Sequence, residues 1–345
     1  MKAAYLPGNS TVEVREVAVP APGHGEVLLE VKASTICGSD IRCIYHEHLG
    51  KGPEGYQGVI AGHEPSGLVV EAGPGCRRFK LGDRVIVYHI SGCGVCNDCR
   101  RGYMISCTDG TYRRAYGWQR DGGMAEYMIA EEKDLILLPE SLTYADGAQV
   151  ACGFGTVYEG LEKIGIGGNH DVLITGLGPV GLAAGALCRK LGANRIIGID
   201  ISQERLELAL KLRLCDHVLA SSEDNVAQVL DLTNGRGVER SVDCSANAQA
   251  RATAIRATRK WGKMVMIGEG GTVSFNPSPD IIHDQKTIYG SWVTSTWLME
   301  ELVERLVRWN LHPEEIITHR FALEQAADAY ALMASGRCGK VAVCP

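Results

Sequence analysis

The chain has 345 residues, 45% of them hydrophobic and 22% charged, a balance suited to a globular protein large enough for two cored domains. A formal net charge of -6 argues against nucleic acid as a partner, because phosphate binding draws on a basic surface. No apolar run reaches the roughly 18 residues of a membrane span, and the opening MKAAYLPGNSTVEV lacks the apolar core of a signal peptide, so a cytoplasmic protein is expected.

Along the chain, the first part is rich in Gly, Pro and short β-branched runs. GEVLLEVKAS, SGLVVEAG and GDRVIVYH read as strands between turn residues, after a first strand and turn in the opening segment. In LTYADGAQVACGFGTVYEGLEKIGIGG the spacing becomes helical. From Asp171 onward, DVLITGLG, PVGLAAGALCRKLGA, NRIIGID, SQERLELALKLRL and DHVLAS alternate strand and amphipathic helix, the pattern of βαβ units in a parallel sheet. That pattern continues through GVERSVDCSA and KWGKMVMIG to TIYGSW. The remainder, with MEELVERLVRWNL and EQAADAYALMASG, reads as helical and ends on a short strand, GKVAVC.

The first βα turn of that sheet carries Gly176, Gly178 and Gly181 in the spacing G-x-G-x-x-G, with Pro179 and Val180 between them. Following a strand and opening a helix, the glycines allow a tight turn, close approach of a pyrophosphate and close helix–sheet packing. The helix start adds free N–H groups and a positive dipole end. Asp200 ends the next strand, where a carboxylate accepts bonds from the adenosine ribose and repels a 2′-phosphate, which favours NAD over NADP. Arg205 is a candidate for the adenine edge. Ser245, Ile267 and Gly268, at later strand ends, are candidates for the nicotinamide side, as are Ser291 and Trp292 at the end of TIYGSW.

Thirteen cysteines in a chain of this kind are expected to be reduced thiols, and clustered ones to hold metal. Cys93, Cys96, Cys99 and Cys107 have the spacing C-x2-C-x2-C-x7-C, which suits a closed tetrahedral zinc site. The nearest iron–sulfur run has a shorter final gap and a proline after the last cysteine, where this chain has Thr108. Four thiolates leave no position for substrate, so this site is structural. A catalytic zinc needs an open position, and STICGSDIR, IAGHEPSG and QVACGFGTVYEG offer Cys37, His63, Glu64 and Cys152.

With CGSD, GHEPSG followed by GDRV, the four-cysteine loop, DGGMAEY, CGFGT, GLGPVG with Asp200, and the terminal GKVAV, the chain resembles the zinc-containing medium-chain alcohol dehydrogenases over nearly its whole length. That family includes sorbitol-type and threonine dehydrogenases. The resemblance implies an α/β architecture: a GroES-like β-barrel catalytic domain over 1-152, with the structural zinc lobe, and a Rossmann doubly wound parallel sheet over 153-290. Residues 291-345 would then complete the catalytic domain. It also implies two zinc ions per subunit and NAD, with Cys37, His63 and Cys152 on the catalytic zinc. Glu64 is then either an exchanging ligand or a carboxylate that orients the ligands. Ser39 would pass the alcohol proton onward, and Thr156 would pack on the nicotinamide.

Many members carry a histidine five residues after the first zinc cysteine to end the proton relay. Here that residue is Arg42, which stays protonated and cannot act as a base, so His46, His48 or water takes the proton, with His46 the candidate. The polar stretches RCIYHEHLGKG and RRAYGWQRDGG, with Arg42, Glu47, Arg114, Gln119 and Arg120, favour a polyol, sugar or cyclitol substrate. A threonine-like amino alcohol follows, then a simple secondary alcohol. The reading from another class is a nucleotide- and zinc-binding structural or interaction protein without activity. Members of the family form dimers or tetramers, so a homo-oligomer is expected, with no membrane and no nucleic-acid partner.

Overall fold

The computed structural model describes residues 1–50 and 54–345, so Lys51 and Gly52 of the polar RCIYHEHLGKG stretch lie outside the described residues. It opens with an antiparallel pair, β1 (Lys2–Gly8) and β2 (Thr11–Glu16), joined at Asn9 and Ser10, whose φ values of 53° and 58° make the tight reversal. The alternation in GEVLLEVKAS then forms β3 (Glu26–Thr35), which pairs antiparallel with β4 (Glu64–Ala72). β5 (Arg84–Val87) follows, and β6 (Ile90–Ser91) pairs with β7 (Arg114–Ala115). β8 (Tyr127–Glu131) adds to β3, and β9 (Leu135–Leu137) to β5. Val27, Leu29 and Val31 sit two apart on β3 and bury one face against Val69, Val85 and Met128.

The second sheet is parallel throughout: β10 (Asp171–Thr175), β11 (Arg195–Asp200), β12 (His217–Ala220), β13 (Val238–Asp243), β14 (Thr258–Met266) and β15 (Thr287–Gly290). Every residue of β10 is buried, as expected where helices cover both faces of a parallel sheet. Its strand order is β12-β11-β10-β13-β14-β15, so the direction of winding reverses between β10 and β13, and ligands of such sheets bind beside that reversal. Two of the helices beside this sheet start on side-chain caps that the sequence supplies. Ser202 accepts from the Arg205 N–H ahead of Gln203–Lys211, and Asn247 accepts from the N–H groups of Gln249 and Ala250 ahead of Ala248–Ala257.

The C-terminal part is less helical than its sequence suggests. Between the helices Thr296–Trp309 and Ala326–Ser335 lies a further strand, β16 (Ile317–Ala322), parallel to β17 (Lys340–Cys344). ITHRFA is an edge strand with mostly exposed side chains, so it carries no apolar alternation to signal it. β17 pairs antiparallel with β3, giving the order β16-β17-β3-β4-β5-β9. By their contacts, the described residues form two compact units: Met1–Gly155 with Val293–Ser335 and Lys340–Pro345, and Thr156–Trp292 with Gly336–Gly339. Among the described residues, no helix is long and apolar enough to cross a membrane.

One carboxylate ties the returning segment into the first unit. Asp146 forms a capping box with Thr143 at the start of Tyr144–Gln149. Its Oδ1 accepts from the Glu314 N–H at 2.9 Å, and its Oδ2 faces the His312 Nδ1 at 2.8 Å. The hydrogen bond to Asp146 raises the His312 pKa above its ordinary value. A raised folded value means the stabilisation is complete below the unfolded histidine pKa and is lost as pH rises through the folded one. Denaturation of wild type should therefore lose more stability as pH rises above about 6.5, the ordinary histidine value, than His312→Gln does. Identical pH slopes would remove His312 from this clasp.

Candidate metal centres and nucleotide site

Cys37 lies just after β3 and caps the short helical turn Gly38–Asp40, with its N–H donating to Asp40 Oδ2 at 2.9 Å. The other oxygen of Asp40 meets His63 Nδ1 at 2.7 Å, which fixes the imidazole with Nε2 left to bind a metal. Glu64 begins β4, and the β3–β4 register sets Thr35 opposite it, so the Thr35 hydroxyl donates to Glu64 Oε2. Cys152 stands in a π-helical turn, Val150–Phe154, a local widening common at functional sites. One donor atom from each of Cys37, His63, Glu64 and Cys152 lies within 4.8 Å of the others. Lys340, from β17, places Nζ 2.5 Å from Glu64 Oε2, with both side chains at most 1% exposed.

The electrostatics of this cluster are those of crowded acceptors. A hydrogen bond from the Cys152 thiol holds the Cys37 pKa well below the usual thiol range, against its burial, while the same contact drives Cys152 up. Burial pushes Glu64 up to about 7 despite Lys340, and it pushes His63 down until the Asp40 carboxylate reverses the direction. Glu64 Oε1 is buried with no hydrogen-bond partner among the described residues. Two thiols, an imidazole and an oxygen without a partner fit a zinc ion. His89, its ring centroid 5.1 Å from that of His63, is held by a 2.8 Å contact between Nδ1 and the Ala151 carbonyl, and burial lowers it to about 3.

The four-cysteine loop gathers its thiols as the spacing implied. Sγ of Cys93 and Cys99 are 3.9 Å apart, and Sγ of Cys96 and Cys107 are 4.0 Å apart. Four sulfurs about 2.3 Å from one zinc would stand roughly 3.8 Å from each other, so the set fits a single tetrahedral ion. Backbone N–H groups of Cys96 and Cys93 donate to the sulfurs of Cys93 and Cys107. Hydrogen bonds from the backbone at Cys99 and Thr108 bring Cys96 down to about 6, while burial takes Cys99 up to about 12. Gly92 is required here, since a β-carbon on it would lie 2.6 Å from Cys99 Sγ.

In the second unit, the glycine loop follows β10 at the reversal. Gly176 has φ +86°, and a β-carbon on Gly181 would lie 1.8 Å from the Gly176 carbonyl oxygen. Pro179 opens the helix Pro179–Lys190. Asp200 ends β11 and accepts from the N–H groups of Leu177 at 2.5 Å and Ser202 at 2.8 Å, so its carboxylate lies against the loop. A β-carbon on Gly178 would lie 3.5 Å from the Arg205 guanidinium, whose Nε is buried without a hydrogen-bond partner among the described residues. Ser245 follows β13 and donates its hydroxyl to Asp243, while Ile267 and Gly268 both donate N–H to the Asp243 carbonyl. Ser291 is buried and receives Lys163, Trp292 is 58% exposed, and Thr156 begins the unit, half-buried.

Other sequence candidates lie elsewhere. Ser39 is half-buried beside Cys37, but His46 is exposed, with Nδ1 2.8 Å from Ser10 Oγ rather than against the cysteine–histidine cluster. Arg120, expected to suit a substrate, is bound to Glu131 and Glu26, and the Gln119 amide holds the backbone of Ala115 and Glu54. Sequence reasoning assigned no role to Asp40 and Lys340. Asp40 was reachable through the rule that a ligating histidine pairs its other nitrogen with a carboxylate. Lys340 carried no such local signal.

A parallel sheet with a phosphate loop, in one chain with an open cysteine–histidine cluster and a closed four-thiol cluster, defines the class of zinc-type, dinucleotide-linked dehydrogenases. Residues 23–140 match the alcohol dehydrogenase GroES-like domain, and residues 179–309 match the zinc-binding dehydrogenase domain. The chain is 55% identical to the uncharacterised zinc-type alcohol dehydrogenase-like protein YphC of Escherichia coli (strain K12), over 99% of this chain and 98% of that one. It is 34% identical to the L-threonine 3-dehydrogenase of Pyrococcus abyssi (strain GE5 / Orsay), over 95% and 94%. The crystal structure of galactitol-1-phosphate dehydrogenase from Escherichia coli superposes with a TM-score of 0.88 at 27% identity, covering 100% of both chains. The chain thus belongs to the zinc-type alcohol dehydrogenase family, a family of oxidoreductases with a GroES-like and a Rossmann unit.

Two measurements test the clusters. In metal-free protein at about pH 9, where Glu64 is ionised beside Lys340, Lys340→Met removes that cation and should cost about 3–5 kcal/mol in denaturant unfolding, most of it recovered in Lys340→Met/Glu64→Gln. Cys107→Ala should lower bound zinc by one ion per chain, assayed by elemental analysis, and leave NADH binding in place.

Proposed function

We propose that this chain oxidises a secondary alcohol bearing further hydroxyls, of the polyol, sugar or cyclitol class, with NAD as hydride acceptor. The observation that carries the reading is the set of buried Cys37 and His63 with half-buried Cys152, clustered with Glu64, one of whose oxygens lacks a partner among the described residues. Bound there, zinc supplies a Lewis acid toward an alcohol oxygen, while the nicotinamide ring supplies the hydride acceptor.

The chain's own residues do the rest. Asp40 keeps the His63 ring oriented. Lys340 and Thr35 hold one Glu64 oxygen and leave the other without a hydrogen-bond partner among the described residues. Ser39, two residues past Cys37, takes up the alcohol proton at Oγ and releases it to water. Arg42 cannot serve as base, and His46 is engaged by Ser10 at the surface. Gly176, Gly178 and Gly181 bring the backbone against the pyrophosphate, and the helix start at Pro179 receives its charge. Asp200 accepts from the adenosine ribose and excludes a 2′-phosphate, which supports NAD as the cofactor. Arg205 faces the adenosine side of that loop.

Exposed Glu47 and Arg114 support a hydroxyl-rich substrate, as does the likeness to a galactitol-1-phosphate dehydrogenase. A second reading, oxidation of a threonine-like amino alcohol, is favoured by the likeness to L-threonine 3-dehydrogenases. Purified protein should be assayed by NADH absorbance against polyols, sugars, cyclitols, L-threonine and simple secondary alcohols. The expected outcome is the highest kcat/KM on a polyhydroxylated substrate, at least about 100-fold lower in Cys37→Ala with NADH binding unchanged. Reduction of NAD by L-threonine alone would select the second reading, and no reduction by any substrate would contradict both.

A further inference from the structure

We infer that Arg251 is a positioning residue for the nicotinamide half of the cofactor: through Asp243 it locks the loops after β13 and β14 into one fixed arrangement. This rests on the nicotinamide reading above and deepens it. Arg251 lies one turn into the helix Ala248–Ala257, is 6% exposed, and looks in sequence like an ordinary helix arginine. Its Nε donates to Asp243 Oδ2 at 2.8 Å, its Nη1 to the Gly270 carbonyl at 2.7 Å, and its Nη2 to the Gly268 carbonyl. One planar fork therefore joins the end of β13 to two carbonyls of the loop after β14.

Asp243, with its side chain fully buried, is the hub of this arrangement. Its Oδ1 accepts from the Ser245 N–H at 3.0 Å, the Ser245 hydroxyl at 2.6 Å and the Thr175 hydroxyl at 3.2 Å. Thr175 is the last residue of β10, immediately before the glycine loop, so the same carboxylate touches both strands at the winding reversal. The two loops also meet backbone to backbone. A β-carbon on Gly268 would lie 2.5 Å from the Ala246 nitrogen, and one on Gly271 would lie 2.0 Å from the Ala246 carbonyl oxygen. Ala246 is itself held at φ 58°, a conformation an alanine adopts only under surrounding constraint. The arrangement is over-determined at the strand ends where a doubly wound sheet presents groups to its ligand. A brace serving only the helix would need one carbonyl, not two in a neighbouring loop.

The test compares binding of NADH with binding of ADP-ribose, which lacks only the nicotinamide. Arg251→Lys keeps a cation beside Asp243, so the fold persists, but an ammonium cannot hold the carboxylate and both carbonyls in one plane. Dissociation constants for NADH, from its fluorescence, and for ADP-ribose, from competition, should show NADH weakened about tenfold or more in Arg251→Lys and ADP-ribose within about twofold of wild type. Arg251→Met/Asp243→Asn, which removes both charges together, should show the same split. Unchanged NADH binding in both variants, or equal weakening of both ligands, would overturn the inference. Wild-type protein that binds neither ligand would instead overturn the nicotinamide reading itself.

Discussion

Too many negative groups share one dry place in the first unit. Asp40 and Glu64 are 0% exposed, His63 3% and Cys37 8%, with Cys152 beside them and Lys340, at 1%, the cation that reaches Glu64. If both thiols and both carboxylates ionise, four negative charges face the Lys340 ammonium and a protonated His63, an imbalance that a buried site does not sustain without a further cation. The crowding shows in the shifts: the hydrogen bond between Cys37 and Cys152 moves the two thiols in opposite directions, and burial lifts Glu64 to about 7. A divalent ion held by Cys37, His63 and Cys152 would take the place of protons there and offset the charge, which the donor set fits.

The fold of the first unit follows from assembling that set. Adjacent strands β3 and β4 deliver Cys37 with Asp40, and His63 with Glu64, while a π-helical turn delivers Cys152. β17 pairs with β3 and brings Lys340 from the far end of the chain, so the C-terminal segment completes the electrostatics of the site as well as the sheet. In the second unit, Asp243 has a parallel role. It is a buried carboxylate satisfied by Arg251, Ser245 and Thr175, and it sets the loops around the winding reversal.

What the sequence revealed tracks how local each signal is. The glycine spacing at Gly176–Gly181 and the cysteine spacing at Cys93–Cys107 each complete their pattern within one short segment, the first as a tight turn after β10 and the second as four clustered thiols. Cys37, His63 and Cys152 are far apart in sequence and stood out only as a set, through resemblance. Lys340 and Arg251 were opaque because their roles exist only in tertiary contacts: one looked like a terminal strand residue, the other like a solvated helix residue. β16 was missed because an exposed edge strand needs no apolar alternation. Arg120 and Gln119 misled for the related reason that polar residues in a loop often bind their own backbone and neighbours. Substrate preference is the least legible feature, since it depends on which polar side chains remain available after such internal pairing.

Anomalous diffraction at the zinc edge from crystals of purified protein tests the central claim most directly. The account predicts two peaks per chain, one within bonding distance of Cys37, His63 and Cys152 and one inside the cage of Cys93, Cys96, Cys99 and Cys107. A single peak in the four-cysteine cage, with nothing among Cys37, His63 and Cys152 in zinc-replete protein, would contradict it.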